Sequence, residues 1–559
     1  MKDGFVKVSA ACISSDCTNV SEILKETILK IKKYDELGVN VVVFPELSLV
    51  GFTCSDHLFT DSLLDLAEDS LKEICKYSKK AYPVIIVGLP LRFGNKLYNS
   101  AAVIHRGKIL GFVPKNNLPN YMGFYEKRYF ASGKDIPNGS FVYFNGENIP
   151  FSPNLIFRSL SLSDYSFGIE LCEDLWAPLT PSTELCLAGA NLIFNLSASP
   201  ETLGKSSQRK EYIKSLSSRL ICGYVYANAG MGEDCSRCIY SSHRLIYECG
   251  ALLREAKPFA EDEDCVSEID VKKLSYLRRL NSSFENKFNI ANVVNFDQEL
   301  IKTQITRRIY KNPFTKDKDH ISDSVFESIS QIQINSLCSI IKKGGYKRLS
   351  YCLNGGDGDI YTVWVVLRAL ERLGISACEN LYLFLDNDIK SNETLYKFLE
   401  FFGVKTVTEV ISLQECLCVA NDDLNRCATG RIATTPEYTY SINNSLSKSI
   451  LNQCSRYILK NYCSLEKINF KDQTGNDFEE FILFYLVRFG FNKAKISRLA
   501  MEAYGDLSEE EIVQNVSKYF TSFYKNQIMR QSNPDGVKVG TLSLSPKAEY
   551  IIPLFAHNL

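Results

Sequence analysis

The chain has 559 residues, of which 45% are hydrophobic and 23% charged, and its formal net charge is -1. That length exceeds what a single hydrophobic core serves, so two or three domains of ordinary soluble composition are expected. The balanced charge excludes the broad electrostatic pull of a non-specific nucleic-acid binder, and no uninterrupted run of about 18 apolar residues is present to span a membrane.

The opening Met1-Lys2-Asp3-Gly4-Phe5-Val6-Lys7-Val8 alternates like a strand and lacks the apolar centre of a secretory leader, which sets the expectation of a cytoplasmic protein. The 19 cysteines are scattered, so reduced thiols are expected. The motif Cys235-Ser236-Arg237-Cys238 has no second ligand pair at zinc spacing, and no metal site is expected from it.

Residues 21–37 carry apolar side chains at helical spacing and precede the buried-strand run Val41-Val42-Val43-Phe44. Val84-Ile85-Ile86-Val87-Gly88 is a second such run, and residues 98–113 read as a hairpin turning near Arg106-Gly107. Strands are expected at 166–171, 191–196 and 222–228, giving a layered α/β domain over 1–257. Residues 258–325 are charged, include Asn281-Ser282-Ser283 and Asn312-Pro313-Phe314, and read as a linker or crossing segment. A second domain over 326–559 opens with a helix at 324–343. A strand at 348–353, a Gly-rich turn, a helix at 360–373, a strand at 380–385 and a helix at 392–402 follow. This βαβ succession predicts a parallel sheet. Residues 412–470 show no clear period, and 476–530 read as helical.

Three apolar runs of the first domain each end in a reactive residue: Phe44-Pro45 delivers Glu46, Val113-Pro114 delivers Lys115, and Glu170-Leu171 delivers Cys172. Strand ends are where a rigid sheet holds side chains for chemistry. The residue types suit amide cleavage. A thiolate attacks a poor electrophile, and a free thiol, with a pKa near about 8.5, needs a base and a cation beside it. Glu46 can accept the thiol proton and return it to departing ammonia, and Lys115 can support the thiolate and the oxyanion. Taken singly, Cys172 also suits a core thiol, Glu46 a helix cap and Lys115 a solvated lysine.

The blocks Val-Val-Val-Phe-Pro-Glu-Leu, Val-Pro-Lys and Glu-Leu-Cys-Glu-Asp-Leu-Trp resemble, in order, the three signature blocks of the nitrilase superfamily. The likeness is nearer to the glutaminase domain of the glutamine-dependent NAD synthetase family. It runs through Gly51-Phe52-Thr53-Cys54, Lys115–Tyr121, Phe124–Arg128, Asn195–Ser199 and Tyr224–Gly230. The resemblance implies an α-β-β-α sandwich with Glu46 as base, Lys115 as oxyanion residue and Cys172 as nucleophile. It further implies Glu126 as a supporting acid and Tyr121, Phe124, Glu173, Trp176, Ser199 and Lys205 as the lining of a glutamine pocket, with no cofactor. Glu173 suits the substrate's α-ammonium. Lys205 suits its α-carboxylate, and Ser199 and Lys205 favour glutamine over another amide or nitrile. A large homo-oligomer is implied as well.

The likeness continues into 326–559 through Lys471–Thr474, Phe484–Phe491 and Pro534–Gly540, which implies a Rossmann-like, PP-loop ATPase-like domain. The family's phosphate loop, Ser-Gly-Gly-x-Asp-Ser, is here Asn354-Gly355-Gly356-Asp357-Gly358-Asp359, in which only the two glycines persist. A helix N-terminus attracts anions, and Asp357 and Asp359 supply that anion from the chain itself. A phosphate about 5 Å from either carboxylate meets roughly 3 kcal/mol of repulsion per charge pair at an effective dielectric near 20. Magnesium between them would offset it. The family's Thr-Gly-Asp-x-Ser-Glu block is missing. Neither Arg426–Thr429 nor Thr434-Thr435-Pro436 replaces it, so this domain reads as shortened and degenerate. The leading expectation is a glutaminase joined to a domain that has lost its ATP site, releasing ammonia for an acceptor enzyme. The alternatives are a working glutamine-dependent NAD synthetase using ATP and magnesium at Asn354, Gly355 and Gly356, and a non-catalytic scaffold for a true synthetase.

Overall fold

A computed structural model describes residues 1–353, 355–356, 358–385, 393–404, 406–407, 416–431, 440–463, 477–545 and 551–552. The chain divides into two compact units, Met1–Arg307 and Arg308–Leu559.

The first unit is built on two mixed sheets. One runs, edge to edge, Cys265–Asp270, Phe5–Ala10, Val41–Val43, Val84–Phe93, Lys96–His105 and Lys108–Pro114. The other runs Ala251–Ala256, Arg244–Glu248, Gly223–Asn228, Leu192–Ser197, Ser166–Leu171, Leu155–Ser159 and Asn292–Phe296. The period of two along a strand sorts the side chains into layers. Val41 and Val43 face Phe167, Ile169 and Phe194 of the opposite sheet, while Val42 points outward with Ile85 and Val87 under Ile23, Ile31, Leu71 and Ile74. These four residues lie on the helices Val20–Glu36 and Asp61–Ser78. The outer face of the second sheet, with Ile193, Tyr224 and Tyr226, is covered by Ile213 and Leu216 of the helix Lys205–Arg219. The result is the α-β-β-α sandwich, in which both faces of each central strand are buried. That burial explains why these strands read as unbroken apolar runs.

Residues 258–307 depart from the expected crossing segment, because they belong to the first unit. Cys265–Asp270 pairs antiparallel with Phe5–Ala10, and Asn292–Phe296 pairs parallel with Leu155–Ser159. The cause is buried polarity. Glu268 is wholly buried, and its carboxylate accepts hydrogen bonds from the Thr306 amide (3.0 Å) and hydroxyl (2.8 Å) and lies 3.6 Å from the buried Lys7 ammonium. A strand with buried charged residues looks solvated to a hydropathy pattern.

The second unit has a parallel sheet ordered Thr406–Val407, Leu381–Leu385, Arg348–Leu353, Cys416–Ala420 and Tyr440–Ser441. In chain order that is 3-2-1-4-5, the doubly wound Rossmann-like arrangement, with its switch point beside the end of Arg348–Leu353. Buried Ile360, Val363, Trp364 and Val366 of the helix Gly358–Arg372 share one core with Ile334, Leu337 and Ile341 of Asp323–Gly344 and with Leu451 and Ile458 of Lys448–Asn461. Asp477–Phe489, Lys493–Ala503 and Glu509–Lys525 are helices, as the apolar spacing over 476–530 predicts. The 471–474 block and Thr434-Thr435-Pro436 lie outside the described residues. Among the described residues, no helix is long and apolar enough to cross a membrane.

Glu268→Ala strips the buried Lys7 ammonium of its carboxylate. We expect a loss of about 3–5 kcal/mol from the first unit, read as a lower midpoint in urea denaturation of the full chain.

Candidate active site

Glu46, Lys115 and Cys172 each sit just past a strand end, on Val41–Val43, Lys108–Pro114 and Ser166–Leu171 respectively. The chain turns sharply at two of these places. Leu47, next to Glu46, has φ +49°, and Cys172 itself has φ +41°. Left-handed backbone is uncommon for a side chain larger than glycine and tends to mark a functional constraint. Cys172 opens a short 3-10 turn, Cys172–Leu175, tied down by the buried Asp174 carboxylate. That carboxylate accepts from the Leu171 amide (3.1 Å), the Asn117 amide (2.9 Å) and Asn117 Nδ2 (2.7 Å). One side chain therefore fastens the cysteine turn to the segment that follows Lys115.

The Lys115 ammonium, 1% exposed, donates to Glu46 Oε1 at 2.6 Å and to Glu126 Oε1 at 2.8 Å. Glu46 is 0% exposed and accepts two further bonds, from Asn99 Nδ2 (2.7 Å) at Oε1 and from the Ala198 amide (2.9 Å) at Oε2. Burial alone would push Lys115 down, but Glu126 and Glu46 outweigh it and hold the ammonium well above the ordinary lysine value. Burial pushes Glu126 up to about 7; Lys115 pulls it back and Glu46 adds to the rise. For Cys172, burial and then Glu46 hold the thiol well above its usual range, while Lys115 pulls it down. The sulfur lies within the fields of a carboxylate acceptor and an ammonium, and burial tips the balance towards its protonated form. Cys172 is buried, with 7% of its surface exposed.

Of the expected pocket residues, Tyr121 and Lys205 lie within the field of the Cys172 sulfur. Tyr121 donates its hydroxyl to Glu173 Oε1 at 2.7 Å, and its ring meets Phe124 edge-on at 5.7 Å. Lys205 Nζ lies 3.5 Å from the centre of the Trp176 ring. Burial, then Arg209, lower the Lys205 pKa, and burial, then Glu173, raise Tyr121 to about 12; both residues feel the charge of Cys172. Ser199 is buried, with its amide donating to Asn228 Oδ1 at 2.8 Å. The residue pattern did not single out Asn99, Asp174 or the Ala198 amide. Asn195–Ser199 matched the family as a block, but nothing local to Asn99 points at Glu46, 53 residues away.

In the second unit, Gly355 has φ +75° and the helix Gly358–Arg372 begins three residues later. Asp359, fully buried, turns into this loop. Its Oδ2 accepts from the Gly355 amide at 2.7 Å, and its Oδ1 accepts from Asn421 Nδ2 at 2.7 Å and from the Tyr351 hydroxyl. The Gly355 amide, expected to face phosphate, thus faces a carboxylate of the chain. The Gly356 carbonyl accepts the Asp359 amide at 3.1 Å. Asn354 and Asp357 lie outside the described residues. Among the described residues, no group of three or more His, Cys, Asp or Glu is placed to hold a metal ion.

Residues 7–230 match the carbon-nitrogen hydrolase family, so the first unit carries a carbon-nitrogen hydrolase domain. A glutamine-dependent NAD(+) synthetase of Mycobacterium leprae is 33% identical over 386 residues, covering 66% of this chain and 56% of that protein. One from Aquifex aeolicus is 30% identical over 367 residues, covering 64% and 57%. A crystal structure of a glutamine-dependent NAD(+) synthetase from Cytophaga hutchinsonii aligns over 99% of this chain and 98% of its own at 16% identity, with a TM-score of 0.42. The chain is thus similar to glutamine-dependent NAD(+) synthetases over about two thirds of its own length, and it spans little more than half the length of the curated relatives it matches.

Lys115→Met removes the cation that lowers the Cys172 pKa and leaves two carboxylates beside the sulfur. The pH midpoint for iodoacetamide alkylation of Cys172, followed by peptide mass mapping, should rise by about one unit or more.

Proposed function

We propose that the first unit hydrolyses glutamine to glutamate and ammonia through a thioester on Cys172. The observation that carries this reading is the buried assembly in which one ammonium, Lys115, joins Glu46 to Glu126 within the field of the Cys172 thiol.

In this reading Glu46 takes the thiol proton as the sulfur attacks the carboxamide carbon. Lys115 and the backbone amide following Cys172 stabilise the oxyanion. Glu46 then gives its proton to the leaving nitrogen, and the C–N bond breaks to release ammonia and leave the thioester. Water deprotonated by Glu46 attacks the thioester carbonyl, the C–S bond breaks, and the proton returns to the sulfur as glutamate leaves. The thiol rests neutral, so proton removal belongs to the attack itself. Glutamine is the favoured substrate because Glu173, held by Tyr121, faces the requirements of an α-ammonium, while Lys205 and Ser199 meet those of an α-carboxylate. Phe124 and Trp176 supply apolar walls. The chemistry needs no cofactor in this unit.

For the second unit, the Asp359 contact with the Gly355 amide supports a loop whose anion requirement is met internally, without ATP. Ammonia from the first unit would then serve an acceptor enzyme. A cytoplasmic setting and a homo-oligomer go with this reading. A second reading, a working NAD synthetase using ATP and magnesium, is supported by the 386-residue match, which is longer than the 307-residue first unit. Calorimetric titration of the full chain with ATP and magnesium separates the two, and measurable saturable heat would favour the second.

Cys172→Ala should abolish ammonia release from glutamine, and Glu46→Gln should lower kcat by roughly 10²–10⁴-fold, in a coupled ammonia assay. Ammonia release by the Cys172→Ala protein at the wild-type rate would refute the thioester. Activity confined to other amides or nitriles in a substrate panel would refute glutamine.

A further inference from the structure

Glu46 is gripped from three sides, and two of the grips come from groups with no part in bond breaking. Lys115 and Asn99 Nδ2 share Oε1, at 2.6 and 2.7 Å, and the Ala198 amide takes Oε2 at 2.9 Å. Asn99 lies on the strand Lys96–His105, where its carbonyl also accepts the Lys115 amide at 2.8 Å. One residue therefore touches both the backbone of the lysine and the carboxylate of the glutamate.

We propose that Asn99 is a positioning residue that orients Glu46 towards Cys172 and keeps it ready to accept the thiol proton. The inference rests on the amidase reading. Three physical points support it. The amide orientation follows from chemistry, because only the NH2 group can face a carboxylate at 2.7 Å; the carbonyl oxygen would be repelled. Next, Lys115 divides its charge between Glu46 and Glu126, so it does not hold Glu46 alone. A neutral donor fixed on the neighbouring strand adds stabilisation to the ionised form without a competing partner. Finally, Asn99 is 1% exposed and its Oδ1 has no hydrogen-bond partner among the described residues. Burying an unpaired carbonyl is unfavourable. Leucine, of similar volume, would pack this place with no orphaned oxygen, so the amide is justified by the carboxylate it holds and not by packing.

The titratable groups that act on Glu46 or on the thiol include Lys115, Glu126, Glu233 and Tyr240, and Tyr121, Lys205 and Tyr226 share the field of Cys172. Asn99→Leu leaves all of these in place and removes one donor to the carboxylate. Loss of that donor leaves Oε1 held by Lys115 alone, so the carboxylate is less well aimed at the thiol and kcat falls while substrate binding is kept.

The test is steady-state ammonia release from glutamine by the full chain across pH, for wild type, Asn99→Leu and Asn99→Ala, with thermal melts of each. The expected result for Asn99→Leu is an unchanged or higher melting temperature, kcat lower by roughly tenfold or more, and KM within about twofold. Should the leucine variant fail to fold, the alanine variant is read in its place. A folded variant with kcat within about twofold of wild type overturns the proposal. Should wild type release no ammonia from glutamine, the amidase reading fails instead. The pH profile of Cys172 alkylation in the same three proteins then decides on Asn99, and identical profiles overturn it.

Discussion

The buried Lys115 ammonium is the contact on which the first unit's chemistry depends. Two carboxylates and a thiol share a space with almost no access to water, and like charges there would repel strongly. A single cation bonded to both Glu46 and Glu126 makes the grouping tolerable. Its charge is divided, and that division has a consequence at the sulfur. Lys115 pulls the Cys172 thiol towards ionisation, but burial and Glu46 pull harder the other way. In the proposed amidase reading, a nucleophile that loses its proton only on attack is protected from stray electrophiles, and the carboxylate that opposes its ionisation is the one that takes the proton. Glu126, pushed up to about 7, can give up its own charge and leave Lys115 more fully to Glu46.

The backbone supports this arrangement with strain and with caps. A left-handed Cys172 turns the sulfur out of its strand, and Asp174 secures the turn through three amide donors drawn from two chain segments. The second unit uses a buried aspartate differently. Asp359 occupies the amide of Gly355 at the head of a helix, where a doubly wound sheet would ordinarily present donors to a ligand. In one unit an aspartate braces a reactive turn; in the other it fills the turn.

Much of the fold was readable because the central strands are buried on both faces. Val84–Val87 and Val41–Phe44 are apolar runs with no polar interruption, and both became strands of the sandwich. The hairpin turn at Arg106-Gly107 was readable from chemistry, since both residues take positive φ there. Cys265–Asp270 was missed because Ser267, Glu268 and Asp270 are buried polar residues, and the partners of Glu268, Lys7 and Thr306, lie far away in sequence. Cys416–Ala420 was obscured by cysteines serving as small hydrophobes, and Tyr440–Ser441 is too short to show a period. Within the site, Glu46, Lys115 and Cys172 were legible as strand-end residues. Asn99 was not, because its bond to Glu46 crosses between strands and leaves no local spacing behind.

A glutamyl group carried on the Cys172 sulfur is the most direct sign of the chemistry inferred for this site. Rapid acid quench of the full chain during turnover, followed by peptide mass mapping, should find that adduct on the peptide containing Cys172, removable by hydroxylamine. Release of ammonia with Cys172 unmodified at every quench time, or with the adduct on another residue, would contradict the account.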